Sequence, residues 1–249
     1  MSALIEGQVA IVTGAASPIG QTTARMLAGQ GVRLVLADID AAAMEAAGWH
    51  DDGDHATLVA DLSQQDGATA LVALAIERFG QLDILINNAG GGVIRPFLKQ
   101  SPKTLQATID RNLWTCIWMC HAALPAMVER GYGRIVNVGA DSVRNGLLAH
   151  AAYNAAKGGM HGLTTGLARE FAEQDITVNT VAPAMVRTPF VERETVAGNP
   201  FIKEFIDVIP KRRPAEPDEV ASMIVHLARP EAGFVTGQVI SVNGGSAML

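Results

Sequence analysis

Two cysteines, Cys116 and Cys120, are all that 249 residues offer for a covalent staple. A disulfide framework is excluded. Positive charge is also in deficit, with 19 Lys plus Arg against 25 Asp plus Glu and a formal net charge of -6. A nucleic-acid groove or an anionic membrane surface needs the opposite balance, so neither is expected as a partner. Long apolar runs are missing too. The uncharged stretch from Leu113 to Val128 contains Thr115, His121 and Pro125 and is shorter than the roughly 20 apolar residues of a membrane helix. Met1 to Glu6 reaches an acid without a basic n-region, unlike a secretory signal. The expectation is a soluble, cytoplasmic protein.

What is present is apolar: hydrophobic residues make up 49% and charged residues 18%, enough for a large core and too apolar for disorder. No repeat, low-complexity segment or composition break divides the chain, so residues 1–249 read as one domain. Strand-length runs alternate with helical patterns. Val9 to Val12, Arg33 to Ala37, Thr57 to Ala60, Asp83 to Ile86, Arg134 to Val138, Thr177 to Val181 and Gln238 to Val242 read as strands. Helices are expected over Ile19–Ala28, up to Phe79 with Ser63 as N-cap, over Thr104–Val128, over Tyr153–Glu173 and over Asp218–Ala228. Continuous Val/Ile/Leu strands imply burial on both faces, hence a parallel sheet covered by helices: an α/β fold. The stretch from about 184 to 217 carries five prolines and exceeds an ordinary connection, so it reads as a lid.

Ligands of such sheets bind beyond the carboxyl ends of the strands. The first strand ends in Thr13-Gly14-Ala15-Ala16-Ser17-Pro18-Ile19-Gly20. Its glycines permit close backbone approach to a pyrophosphate, which the helix N-terminus favours. A plain structural turn is the alternative. Asp38 ends the second strand, eighteen residues after Gly20, where a carboxylate accepts from an adenosine ribose and repels a 2′-phosphate. No Lys or Arg follows it directly, so NAD is favoured over NADP. A helix-capping role for Asp38 is the plainer alternative.

Thr13-Gly14-x5-Gly20, Asp61-Leu62, Asn87-Asn88-Ala89-Gly90, Tyr153-x3-Lys157 and Val181-Ala182-Pro183 follow one another in the order and spacing of the short-chain dehydrogenase/reductase family, which the chain resembles. Thr236-Gly237-Gln238 and Val242-Asn243-Gly244-Gly245 extend the resemblance to the C-terminus. It implies a Rossmann-type three-layer αβα sandwich with a seven-stranded parallel sheet, binding a nicotinamide dinucleotide. Gly14, Ser17, Ile19 and Gly20 would line the phosphates, and Asp61 and Leu62 the adenine. Asn88, Ala89 and Gly90 would back the nicotinamide ribose, while Pro183, Val186 and Thr188 would hold the carboxamide and neighbouring phosphate. One departure stands out. Pro18 replaces a usual glycine, which suits a first helical turn but removes one donor to a phosphate.

Tyr153 and Lys157 lie four apart on an expected helix and share a face, about 5–6 Å apart at Cβ. Hydride movement at a carbinol carbon needs a matching proton transfer at the oxygen. A phenol near pKa ~10 is a poor base, and a close ammonium should favour its phenolate. In the family Lys157 would also reach the nicotinamide ribose. Asn112 matches the family's helix Asn that holds a proton-relay water; bonding to backbone is the alternative. The family serine, thirteen residues before the Tyr, is Ala140 here. If the chain stays extended, Ser142 points to the same side and can replace it; Asp141, a water or nothing are the alternatives.

Substrate contacts in the family come from Gly91, Gly92, Val93 and Ile94, from Arg144, Asn145, Leu148 and His150, and from Met185 and Phe190. Arg144 and His150 are candidates for a substrate carboxylate. Gly90-Gly91-Gly92 and Gly139 to Gly146 resemble members that oxidise cis-dihydrodiols of aromatic carboxylates, such as dihydroxy-dihydro-p-cumate. A 3-oxoacyl-carrier-protein reductase-like or general alcohol dehydrogenase, and a non-catalytic dinucleotide sensor, are the rival readings. Cys116, Cys120 and His121 share one helix and cannot close a tetrahedral metal site alone, so no metal is expected. With Trp114, Trp118 and Met119 they make that helix bulky and apolar, and the resemblance implies a homotetramer built on it and on the Tyr153 helix.

Overall fold

The first apolar run forms β1 (Val9–Thr13), buried along its whole length in a computed structural model that describes residues 5–248. Met1 to Leu4, the start of the segment read above for a leader, lie outside the described residues. After β1 the Ser17 hydroxyl caps α1 (Pro18–Ala28) by accepting from Gly20 N. Pro18 takes the first helical position, where an idle N–H is not missed. Then come β2 (Arg33–Asp38), α2 (Ala41–Ala46), β3 (His55–Val59), α3 (Gln65–Phe79) and β4 (Ile84–Asn87). The second half holds α4 (Pro102–Ile109), α5 (Thr115–Arg130), β5 (Tyr132–Val138), α6 (Ser142–Asn145) and α7 (Ala151–Glu170). It closes with β6 (Asp175–Pro183), α8 (Pro189–Val196), α9 (Pro200–Asp207), α10 (Pro217–Leu227) and β7 (Val239–Val242).

The strands form one parallel sheet in the order β3-β2-β1-β4-β5-β6-β7. The order reverses between β1 and β4, which opens the crevice where a ligand enters. Each sheet face has its own core. Leu71, Met119 and Met160 from α3, α5 and α7 pack on one side, and Leu27 and Ile224 from α1 and α10 on the other. The expected three-layer αβα architecture is present.

Several boundaries move. Ser63 does not cap α3. Its N–H is drawn back to the Asp61 carboxylate at 3.0 Å, which turns the chain, and the helix begins two residues later after Gln64. The helix expected over 104–128 starts earlier, because Ser101 and Thr104 form a capping box before Pro102. It is also interrupted by a π turn at Asp110–Trp114. The proline-rich stretch contains two helices, α8 and α9, each led by a proline and capped by Thr188 or Asn199. Pro189 and Pro200, two of the five prolines counted above, are helix starters. The short helix α2 carried no periodic signal in its six residues.

Candidate active site

The Gly-rich turn, the end of β4 and the end of β2 surround a cavity of about 560 Å³. Gly14 needs its φ of +62°, and a Cβ there would sit 2.9 Å from Ala89 Cα. A Cβ on Gly20 would lie 2.1 Å from Gly14 O, so strand and helix meet at glycine only. Asn88 clasps the turn: its Nδ2 donates to Thr13 O, Gly14 O and Ser17 Oγ, each at 3.0 Å. Thr13 Oγ1 accepts from Asn88 N at 3.0 Å and Ala89 N at 2.9 Å. Thr13 opens the motif of the first turn, but the sequence assigned its side chain no role.

Of the residues expected at the dinucleotide, Gly14, Ser17, Asp38, Asp61 and Leu62 line this cavity, with Asn88, Ala89 and Gly90. Asp38 Oδ2 accepts from Ala16 N at 3.0 Å and Oδ1 from Asp40 N at 3.2 Å, which fixes the carboxylate at the wall of the cavity. Gly20 lines neither cavity; its role is the helix cap and the close approach. Ser17, Asn88, Gly90 and Gly91 also border a second cleft of about 510 Å³, so the two spaces run together along the β1–β4 crevice. A long groove floored by glycine and a helix N-terminus fits a dinucleotide.

Ile19, Pro183, Val186 and Thr188 line the second cleft, together with Ser142, Tyr153 and Lys157. The Lys157 ammonium donates to Val138 O at 2.7 Å and lies 5.9 Å from the Tyr153 ring centre. Burial pushes the Tyr153 phenol up to about 12 and the Lys157 ammonium down to about 8. The expected lowering of Tyr153 by its neighbour is therefore outweighed by desolvation. Gly92 packs on the same ring; a Cβ there would stand 2.8 Å from Tyr153 Cδ2.

Asn112 is fully buried at the π turn. Its Nδ2 donates to Gly91 O and Thr108 O at 2.8 Å, and its Oδ1 accepts from Gly91 N at 3.1 Å. Its side chain is thus committed to backbone and ties the glycine loop to the helix. The extended course assumed for Ser142 is overturned. Asp141 is helical (φ -67°, ψ -25°) and α6 follows at once, because the Asp141 N–H bonds to Pro183 O and its carboxylate accepts from Ser241, Asn243 and Ser246. Ser142 still reaches the cleft, but its hydroxyl donates to Asn154 Oδ1 at 2.7 Å.

Gly91, Gly92, Ile94, Asn145, His150, Met185 and Phe190 line the substrate side as expected. Arg144 does not. Its guanidinium donates to Ser241 Oγ and Val239 O at 2.7 Å, clamping α6 to β7. Leu148 is exposed and its neighbour Leu147 takes the wall. Phe205, Val208 and Ile209 also line the cleft and were missed. Their apolar i, i+3, i+4 spacing was the available signal, hidden because the segment was read as irregular.

The comparisons with known proteins agree with this geometry. A family model described as Enoyl-(Acyl carrier protein) reductase matches residues 14–247. A 2,3-dihydroxy-2,3-dihydro-p-cumate dehydrogenase of Pseudomonas putida is 57% identical, over 98% of this chain and 96% of the relative. The chain is a short-chain dehydrogenase/reductase. As a member of that family it is an oxidoreductase acting on CH–OH groups with a nicotinamide cofactor. A 1,6-dihydroxycyclohexa-2,4-diene-1-carboxylate dehydrogenase of Pseudomonas putida is 37% identical, over 98% of this chain and 94% of the relative. A solved short-chain dehydrogenase/reductase described as glucose/ribitol dehydrogenase, from Brucella melitensis, superposes with a TM-score of 0.89 at 34% identity, covering 100% of both chains. Among the described residues, no helix of this family member is long and apolar enough to cross a membrane.

Proposed function

We propose that this protein is an NAD-dependent dehydrogenase of cis-dihydrodiols derived from aromatic carboxylates. The observation that carries the reading is the second cleft, where Tyr153 and Lys157 meet walls supplied by Ile94, Leu147, Met185, Phe190 and Phe205. A dihydrodiol is a flat apolar ring with one polar edge, and this cleft offers apolar walls with one polar corner. The Pseudomonas putida relatives, named for vicinal dihydroxy-diene carboxylates, support the same substrate class.

When bound, the nicotinamide supplies the hydride acceptor. Gly14, Ser17 and Ile19 are assigned to the phosphates, with Gly20 closing the turn that holds them, Asp38 to the adenosine ribose, and Asp61 and Leu62 to the adenine. Asn88, Ala89, Gly90 and Lys157 are assigned to the nicotinamide ribose, and Pro183, Val186 and Thr188 to the carboxamide side. Asp38 favours NAD over NADP, because its carboxylate repels a 2′-phosphate. Tyr153, as phenolate, takes the proton of the reacting hydroxyl, and the Lys157 ammonium stabilises that charge in the dry site. Ser142 is assigned to orient the substrate oxygen, which requires its hydroxyl to turn from Asn154. Asn112 holds the Gly91 loop in place.

Mixing the protein with NAD and the cis-2,3-dihydrodiol of p-cumate, and following NADH absorbance, tests the reading. Turnover is expected. A preference for 3-oxoacyl thioesters would move the protein to the reductase reading. Dinucleotide binding with no hydride transfer to any alcohol or ketone would make it a sensor. We also propose a homotetramer through α5 and α7, supported by an apolar groove of about 420 Å³ along both helices.

A further inference from the structure

His150 is 8% exposed and belongs to the wall of the substrate cleft, yet the proton chemistry at Tyr153 does not use it. Its ring stands edge-on between two aromatics, 5.9 Å from Tyr153 at 75° and 5.0 Å from Phe205 at 77°. Nδ1 lies 2.8 Å from Leu148 O. A carbonyl only accepts, so Nδ1 carries the proton in that bond. Burial pushes the imidazole below its ordinary pKa, which keeps the ring neutral at physiological pH. Nε2 is then a bare lone pair.

That acceptor has no partner among the described residues. Other unpartnered acceptors nearby, Asn145 Oδ1 and His161 Nε2, are sealed from solvent, and His150 Nε2 is not among the sealed atoms. The backbone just before the ring is unusual. Ala149 adopts φ +63°, a left-handed conformation that costs alanine energy and that surrounding structure must enforce. A neutral ring in this tautomer cannot bind the substrate carboxylate, which is itself an acceptor. It fits a donor.

We infer that His150 Nε2 accepts a hydrogen bond from the second, non-reacting hydroxyl of a vicinal cis-diol and so selects diols over simple alcohols. The inference rests on the dihydrodiol reading and names the group that reads the neighbouring hydroxyl. Vicinal cis oxygens lie within hydrogen-bond length of each other, and the His150 and Tyr153 rings are in van der Waals reach. One diol edge can therefore present one oxygen to each. The reacting hydroxyl gives its proton to Tyr153 and its carbon gives a hydride to the nicotinamide; the second hydroxyl stays intact and only donates.

The test uses the NAD-loaded enzyme and two variants. His150→Phe keeps a ring between Tyr153 and Phe205 without a nitrogen, and His150→Gln keeps an acceptor oxygen. For the p-cumate dihydrodiol, His150→Phe is expected to lower kcat/KM by roughly 10- to 100-fold, with His150→Gln recovering part of the loss. Oxidation of cyclohex-2-en-1-ol, which has one hydroxyl, should fall by much less, so that the ratio of kcat/KM for the diol over this alcohol drops by roughly tenfold or more. A second readout needs no turnover: the affinities of catechol and phenol by calorimetry. Wild type should prefer catechol, and His150→Phe should erase that preference. Equal losses with one- and two-hydroxyl ligands would show a purely structural role and overturn the inference, as would a catechol preference surviving in His150→Phe. If wild type fails to oxidise the dihydrodiol, the substrate assignment falls, while the catechol and phenol affinities still decide the role of His150.

Discussion

At the residue scale the site is governed by desolvation. Lys157 is held as a cation in a pocket that is 3% exposed, with its pKa down at about 8. The fall from 10.5 to about 8 corresponds to a cost of keeping the charge on the order of 3 kcal/mol. The bond to Val138 O, worth about 1 kcal/mol, holds the ammonium in place. Lys157→Met should therefore abolish turnover and raise the thermal midpoint at neutral pH. Between about 8 and 10.5 the unfolded wild-type chain binds the proton that the fold has released, so wild-type stability rises with pH and the gap closes. Denaturation of both proteins across that window checks the sign. As the proposed base Tyr153 would act as phenolate but is pushed up to about 12, so the oxidation rate should climb with pH and flatten above about 8, where Lys157 loses its charge. Tyr153→Phe should remove that pH dependence and cost about 10²–10⁴-fold in kcat. Asp38→Ser should narrow the preference for NAD over NADP by roughly tenfold or more, measured as the ratio of kcat/KM values.

At the element scale, the glycine loop after β4 and the π turn before α5 act as one unit. Asn112 binds Gly91 on both sides of its amide, and Gly92 lets the loop lie flat on Tyr153. Gly92→Ala puts a methyl 2.8 Å from a Tyr153 ring carbon, so the ring must shift to make room. It should lower kcat by about tenfold or more, through misplacement of the phenol, with little change in unfolding midpoint. A drop in stability equal to the drop in rate would contradict that. These contacts join segments far apart in sequence, and hydrophobic periodicity carries no information about them. The same holds for Ser142 and Arg144. Their positions were legible as belonging near the site, but the carboxylate of Asp141 drew the backbone into a helix and β7 captured the guanidinium. The stretch from 184 to 217 was legible as a distinct segment and not as one holding two helices, because a proline at a first turn looks like a proline in a loop.

For the whole molecule, the unsettled surface is the outer face of α5 and α7. Leu124, Val128, Leu163, Leu167 and Phe171 edge a shared groove there, and Trp114 stacks on Trp118 at 5.2 Å. A face of this kind on one chain needs a cover. Light scattering should report four copies, and Leu163→Glu should give smaller species without unfolding the subunit. A monomeric wild type would remove the tetramer.

The parallel sheet covered by helices, the Gly14–Gly20 turn, Asp38 at a strand end and the Tyr153–Lys157 pair were legible in the sequence, because each follows from local chemistry: burial on both faces, a glycine where backbone must approach, four residues per shared helix face. The seven strands and three layers came through the family resemblance, and the strand order through the structure. Tertiary structure decided which polar groups stay available for chemistry. It committed Arg144 and the Asn112 side chain to backbone and neighbours, and it left His150 Nε2 without a partner among the described residues, on a ring that lines the cleft. The reason is physical: a buried polar group takes whatever partner folding brings within reach, and that partner is set by distance in space.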